Sequence, residues 1–316
     1  MTSLTEARRK LPGEFVAILE SLFSPLTIDR IVSAMIAGRP VSLRVNALKA
    51  DAATVRARLS AAGLKFENTA WYRDAFVLPD ATERDVEKTD LYTDGRVYLQ
   101  GLSSMVPVLV LAPGRGEKIL DLTAAPGSKT TQIAAMTGNA AEIVACEMDR
   151  LRFERLKYNV GLQAAGSVTL LNLPAEKLIQ RHPEYAGYFD RVLLDAPCSG
   201  EGRFLVSNRG SYKYWSLQEV RKYSNLQKKL LKSAADSLRP GGILVYSTCT
   251  LNTAENEEAV DHAVRNLGMA ALDILLKIHG SLPGFCEGFD PSVRKAMRIL
   301  PGKLMEGFFV CKLQKP

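Results

Sequence analysis

Two cysteines stand where short apolar runs of the chain end. Phe189-Asp-Arg-Val-Leu-Leu-Asp195 leads into Ala-Pro-Cys198-Ser-Gly200, and Gly241-Gly-Ile-Leu-Val-Tyr-Ser-Thr248 leads into Cys249-Thr250. A thiolate is an intrinsically strong nucleophile that can add to an electron-poor ring carbon and leave again. A lone free cysteine is more often packing, because the residue type is among the most buried. Two at neighbouring strand ends, with Asp195 and Lys129 at adjacent ends, face one crevice and point to covalent chemistry. Cys146 and Cys311 lie inside apolar runs and read as core, while Cys286 sits in a loop bounded by Gly and Pro. Five cysteines with no CxxC pair indicate neither a disulfide framework nor a zinc site.

A third motif, Asp121-Leu-Thr123-Ala124-Ala125-Pro126-Gly127-Ser128-Lys129-Thr130, follows a predicted strand and opens a predicted helix. Small residues let backbone approach a ligand there, and the helix start offers free N–H groups. It is neither a Walker loop, since Leu122 stands where the first Gly belongs and Ser128 separates Gly127 from Lys129, nor a GxGxxG fingerprint. A phosphate-free cofactor such as adenosylmethionine suits it better. Glu147, at the end of the next strand, can accept from both hydroxyls of a ribose. It could instead cap the following helix, though Asp149 is better placed as the cap. Methyltransferases of exocyclic amines carry Asp/Asn-Pro-Pro-aromatic where this chain has Asp195-Ala-Pro197-Cys198. Carbon 5 of cytosine becomes nucleophilic only after a thiolate adds at carbon 6, so a thiol at this place suggests ring-carbon methylation.

These motifs must be held by regular elements, and from Lys118 onward short β-rich runs alternate with helical segments, the pattern of a doubly wound α/β sheet. Strands are predicted at Lys118–Leu122, Ile143–Glu147, Val168–Leu171, Arg191–Asp195 and Ile243–Ser247, with helices near 128–137, 150–163, 175–181, 217–238 and 254–267. Ala296–Leu300 and Gly307–Leu313 could form an antiparallel edge. In open α/β sheets ligands bind beyond the carboxyl ends of the strands, where all three motifs fall. Upstream, a periodic opening (Phe15, Ile18, Leu19, Leu22, Phe23), a strand over Val41–Asn46, a helix from about Ala53 to Ala62 and strands around Trp71 read as a smaller α+β unit. The expected division is an RNA-binding α+β domain over 1–97 and a Rossmann-like methyltransferase domain over 98–316.

The chain has 316 residues, 47% of them hydrophobic, enough for two cores. No run approaches the roughly 20 apolar residues of a membrane span, and no secretory segment opens the chain, so a cytoplasmic protein is expected. A net charge of +7 suits a polyanionic partner. Between Arg203 and Lys232 basic residues interleave with Phe204, Tyr212, Tyr214, Trp215 and Tyr223. Loop 203–215, with Arg203, Arg209 and Lys213, is therefore expected to attract phosphates and stack bases.

Taken with Ser42-Leu-Arg-Val-Asn46, Tyr98-Leu-Gln100, Ser103-Ser104, Glu255-Asn-Glu257 and Gly307-Phe-Phe309, these motifs resemble the Sun family of RNA cytosine-5 methyltransferases, and most of all its bacterial ribosomal-RNA methyltransferase F branch. The resemblance implies that Thr123–Lys129, Glu147 and Asp195 line an adenosylmethionine site. It also implies that Cys249 is the nucleophile and Cys198 helps release product. Two positions depart from the family. Thr123 stands where Cys is frequent, and Pro174 stands where an acid usually follows the third strand, leaving Asn172 as a substitute. In the expected reaction Cys249 adds to carbon 6, a protonated or hydrogen-bonded Asp195 stabilises the charge at N3, and Lys129 with a helix N-terminus favours the thiolate. A base cannot react while stacked, so the cytosine must be unpaired or flipped. Ribosomal RNA is the favoured substrate, transfer RNA the alternative, and a monomer the expected state. A DNA enzyme would use Cys198 as nucleophile, and a silent RNA-binding scaffold would need neither thiol.

Overall fold

The computed structural model describes residues 2–316. A small antiparallel sheet comes first, built from β1 (Val41–Val45), β2 (Glu67–Asn68), β3 (Ala75–Leu78) and β4 (Val97–Leu99) in the order β2-β3-β1-β4. Leu43, Val45, Phe76 and Leu78 bury one face of it against Val55 and Leu59 of helix Ala52–Ala61. Asp51 caps that helix by accepting the Thr54 N–H at 2.7 Å. Trp71 lies in the connection between β2 and β3, not within a strand.

The larger sheet comprises β5 (Lys118–Asp121), β6 (Glu142–Cys146), β7 (Val168–Leu171), β8 (Phe189–Asp195), β9 (Leu238–Thr248), β10 (Ala270–Leu272), β11 (Leu282–Pro283), β12 (Met297–Ile299) and β13 (Phe308–Gln314). Its order is β11-β12-β13-β9-β8-β5-β6-β7, with β10 on β13. β7, β6, β5, β8 and β9 run parallel, and β13 returns antiparallel to β9. The architecture is thus a Rossmann-like α/β sheet beside a smaller α+β unit, and the predicted edge pair is present as β12 and β13. Chain order reverses at β5, whose neighbours are β6 and β8, so the carboxyl ends of these three strands bound a crevice.

Helices Ser128–Thr137, Arg150–Leu162 and Leu217–Ser237 occupy the predicted places. The helix expected from 254 begins only at Glu257, and 175–181 divides into a 3-10 turn and one short α-turn bracketed by Pro174 and Pro183. Helices Leu4–Lys10, Gly13–Leu22 and Pro25–Ala37 do not share the small sheet's core. Ala7, Phe15, Leu19, Ile31 and Met35 pack on Phe204, Val206, Tyr212 and Leu251. The fully buried Arg44 of β1 ties the small sheet to helix Ser128–Thr137, donating to Gln100 Oε1 at 2.9 Å and Thr131 Oγ1 at 3.0 Å. Among the described residues no helix is long and apolar enough to cross a membrane.

Candidate active site

At the carboxyl ends of β5, β6, β8 and β9 lies a cavity of about 560 Å³. Its first wall is the 123–129 loop, of which Thr123, Ala125, Pro126, Ser128 and Lys129 line the space. Ala124 and Gly127 stand behind it. The Ala124 N–H donates to Cys146 O at 2.9 Å, extending the β5–β6 pairing, and the Gly127 N–H closes a turn onto Ala124 O at 2.8 Å. Gly127 adopts φ +106°, and a Cβ there would meet Leu156 Cδ1 at 3.1 Å, so this corner needs glycine. Below the loop, burial pushes the Asp121 carboxyl up to about 6, against a 2.7 Å hydrogen bond from Thr130.

Glu147 is buried and lines the same cavity. Its Oε1 accepts the Asp149 N–H at 2.9 Å, and its Oε2 lies 3.5 Å from Arg152 Nη1. Asp149 caps the helix, accepting from Arg152 N–H at 2.8 Å, so Glu147 is not needed as the cap. Asn172 does not present its amide nitrogen to the cavity, because that group donates to Glu147 O at 2.7 Å. The carboxylate that reaches the cavity beyond β7 is Glu176, two residues after the Pro174 departure.

The opposite wall carries the thiols. Cys198 Sγ and Cys249 Sγ are 3.3 Å apart, and both line the cavity. Cys198 is held well above the ordinary thiol range by its hydrogen bond with Cys249 and by burial. Arg203 lines the cavity beside both thiols, and charge on Cys249 raises its guanidinium above the ordinary value. Asp195 accepts from Ser247 Oγ at 2.7 Å and pairs with Lys129 Nζ at 2.6 Å, while Lys129 also donates to Ser104 Oγ at 2.8 Å. Lys129 therefore serves Asp195, and the cation expected beside Cys249 is Arg203 instead. Nor does a helix begin at Cys249, since the next one starts at Glu257.

Buried groups behind the thiols fix their loops. Glu255 accepts from Ser199 N–H and Gln227 Nε2, each at 3.0 Å, and burial pushes it up to about 7. Glu201, raised by burial, accepts from Trp215 Nε1 at 3.0 Å and Leu251 N–H at 3.1 Å. Gly202 N–H donates to Cys249 O at 2.9 Å and Gly307 N–H to Gly202 O at 3.0 Å. That crossing brings Arg203 and Glu306 together, with Arg203 Nε 3.6 Å from Glu306 Oε2.

The stacking expected of loop 203–215 is not available to most of its aromatics. Phe204 and Tyr212 are buried, and Trp215 packs with Phe15 at 5.8 Å between ring centroids. The N-terminal helices need an apolar surface, and these rings supply it. Tyr214 is 78% exposed, beside exposed Arg209 and Lys213. Cys146 and Cys311 are core residues, with burial pushing both thiols up to about 12. Arg203, expected as a phosphate contact in loop 203–215, lies instead beside the thiols, and Ser104, Glu176 and Glu306 join the site unforeseen; the motifs Ser103-Ser104 and Gly307-Phe-Phe309 and the Pro174 departure flagged their neighbourhoods.

The family model "16S rRNA methyltransferase RsmB/F" matches residues 108–314, and the ferredoxin-like domain model of RsmF/B-like methyltransferases matches 15–85. Ribosomal RNA small subunit methyltransferase F of Vibrio atlanticus is 34% identical over 96% of this chain. The chain spans 64% of that relative's length. The tRNA (cytosine(49)-C(5))-methyltransferase of Pyrococcus abyssi is 36% identical over 87% of this chain and 88% of its own. A solved methyltransferase homologue from Pyrococcus horikoshii superposes with a TM-score of 0.86 at 28% identity, covering both chains fully.

Proposed function

The chain belongs to the RsmB/F methyltransferase family, and from that premise we propose that it methylates carbon 5 of an unpaired cytosine in RNA through a covalent bond from Cys249. The carrying observation is the asymmetry of two thiols 3.3 Å apart. Cys249 faces the Arg203 guanidinium, which would balance a thiolate on that sulfur, while its hydrogen bond to Cys249 and burial raise Cys198 above the ordinary thiol range. Cys249 is thus the nucleophile, and Cys198 is a proton-bearing neighbour placed to assist its departure.

The cofactor wall fits adenosylmethionine. Thr123, Ala125, Pro126 and Ser128 offer small surfaces, Ala124 and Gly127 shape the loop behind them, and Glu147 presents a buried carboxylate to a ribose. Glu176 takes the place of the acid missing at Pro174. Adenosylmethionine bound there supplies an electrophilic methyl group. Asp195, held by Lys129, Ser247 and the Thr123 hydroxyl on its own carbonyl at 2.9 Å, is placed to pass a proton to N3 as Cys249 adds to carbon 6, and Lys129 balances the carboxylate left behind. The added electron pair makes carbon 5 nucleophilic. After methylation a base takes the carbon 5 proton, its electron pair restores the carbon 5–carbon 6 double bond, and Cys249 leaves as a thiolate stabilised by the Cys198 S–H and Arg203 while N3 returns its proton to Asp195.

Residues 98–316 form the methyltransferase domain in this reading, and 1–97 help hold RNA. Ribosomal RNA is the favoured substrate. Transfer RNA is the second reading, because the relative whose length this chain matches is named for it. A monomeric enzyme acting on RNA in the cytoplasm completes this reading. Incubation with methyl-labelled adenosylmethionine and either total RNA or DNA tests the reading. Label should enter RNA as 5-methylcytosine, and label confined to DNA would refute it.

A further inference from the structure

Beside the main cavity lies a second of about 240 Å³, and the two share the wall made by Leu99, Gln100, Gly101 and Glu306. Arg39 also lines the second cavity, in the Gly38-Arg39-Pro40 connector between helix Pro25–Ala37 and β1, close enough to Glu306 to feel its charge. Gly38 turns the chain there at φ +71°, and the proline ring limits the connector's freedom. Arg39 Nη1 is buried and has no hydrogen-bond partner among the described residues. Buried donors are almost always satisfied, so an unpaired Nη1 shows a guanidinium that the fold does not hold by hydrogen bonds there, leaving its cavity-facing nitrogens free for an acceptor from outside.

The remaining lining narrows the ligand. Glu83 and Glu306 contribute carboxylates, and Leu205 and Leu304 contribute apolar surface. A phosphate would be opposed by both acids and would gain nothing from the leucines. A flat heterocycle with acceptors on one edge and donors on another would satisfy every group. Guanine has this pattern: O6 and N7 accept from arginine, while N1–H and the 2-amino group donate to a carboxylate. No other RNA base carries two adjacent donors. The volume is below the range of about 300–1,000 Å³ typical of drug-sized ligands, which suits a single base.

We propose that this second cavity is a specificity pocket that receives a guanine adjacent to the target cytosine. The proposal rests on the main cavity holding that cytosine. Glu306 and the intervening backbone of Leu99–Gly101 would separate the two bases, so the enzyme would select its site by sequence as well as by exposure of the cytosine.

The test uses the full chain and single-stranded RNA oligonucleotides with one cytosine, flanked on either side by each of the four bases. Guanine on one flank should raise kcat/KM over adenine by about tenfold or more, in line with what a bidentate base contact discriminates. Inosine, which lacks the 2-amino group, should fall between them. Arg39→Ala and Arg39→Gln should both collapse the guanine-to-adenine ratio toward one. Thermal melting should not fall, because the buried Arg39 Nη1 makes no hydrogen bond in the fold. A ratio left intact while all oligonucleotides lose activity equally would make Arg39 a phosphate contact and overturn the proposal, as would a wild-type enzyme indifferent to the flanking base. Binding anisotropy on the same oligonucleotides separates the two readings. Guanine-selective binding without methyl transfer would sink the cytosine assignment and support the pocket, whereas methyl transfer without guanine preference would sink the pocket alone.

Discussion

Gly202→Ala is a severe perturbation for one methyl group. A Cβ at Gly202 would lie 2.1 Å from Gly307 O, 2.6 Å from its C and 2.7 Å from its Cα. All three are backbone atoms that cannot rotate away, so the segments must part by about 1 Å to reach van der Waals contact. Two hydrogen bonds lie in the path, from Gly202 to Cys249 O and from Gly307 to Gly202 O. Overpacking of this kind costs about 1–3 kcal/mol, or roughly 2–10 °C in Tm for a chain of this size. The functional loss should be larger than the stability loss suggests. Arg203 and Glu306 adjoin the two glycines, and a displacement near 1 Å at a reacting centre costs on the order of a hundredfold in rate. The cofactor wall lies across the cavity, so affinity for adenosylmethionine should stay within about twofold by calorimetry. Methyl transfer, melting and titration on one preparation check all three statements. Full activity with unchanged Tm would refute the steric argument. Equal losses in activity and cofactor affinity would show that the two walls are not independent.

Arg203→Ala should slow alkylation of Cys249 by iodoacetamide at neutral pH about tenfold, the effect of about 1.4 kcal/mol of lost charge pairing at a partly exposed site. Peptide mass spectrometry would read the rate at each cysteine, and an unchanged Cys249 rate would remove Arg203 from its role. Glu147→Ala should weaken adenosylmethionine binding by about tenfold or more, as for loss of a hydrogen bond to a charged group, and Glu176→Ala should do so by a smaller factor; calorimetry that finds Glu147 silent would contradict the ribose assignment. Because the Asp121 carboxyl is raised in the folded protein, folding favours its protonated form. Its ionisation therefore lowers stability as pH rises from about 4 to about 6. Asp121→Asn should remove a decline of up to about 3 kcal/mol in that window, measured by denaturant unfolding at each pH.

The large sheet was legible because its strands are short apolar runs set off by Gly, Pro and helical segments, and local patterning carries that signal. The paired thiols were legible for the same reason, since Cys198 and Cys249 each follow a strand that the pattern identifies. Arg203 was visible only as one basic residue in a basic loop. Its position beside Cys249 depends on the crossing of Gly202 with Gly307, a contact between segments 105 residues apart that no local period encodes. The aromatics of loop 203–215 misled because their spacing suits stacking as well as it suits a core. Phe15 and the N-terminal helices decide between the two by covering them. Glu176 carries no mark in the sequence, since the family's acid falls at Pro174 and only the 3-10 turn after it brings the next acid to the cavity.

The division of labour between the thiols is the central claim, and the Cys198→Ala and Cys249→Ala variants, each incubated with RNA and adenosylmethionine and resolved by denaturing electrophoresis, test it directly. Cys198→Ala should still form the bond to carbon 6 but release it poorly, so a protein–RNA adduct should accumulate. Cys249→Ala should show neither adduct nor methylation, and an adduct seen only with Cys249→Ala would contradict the account.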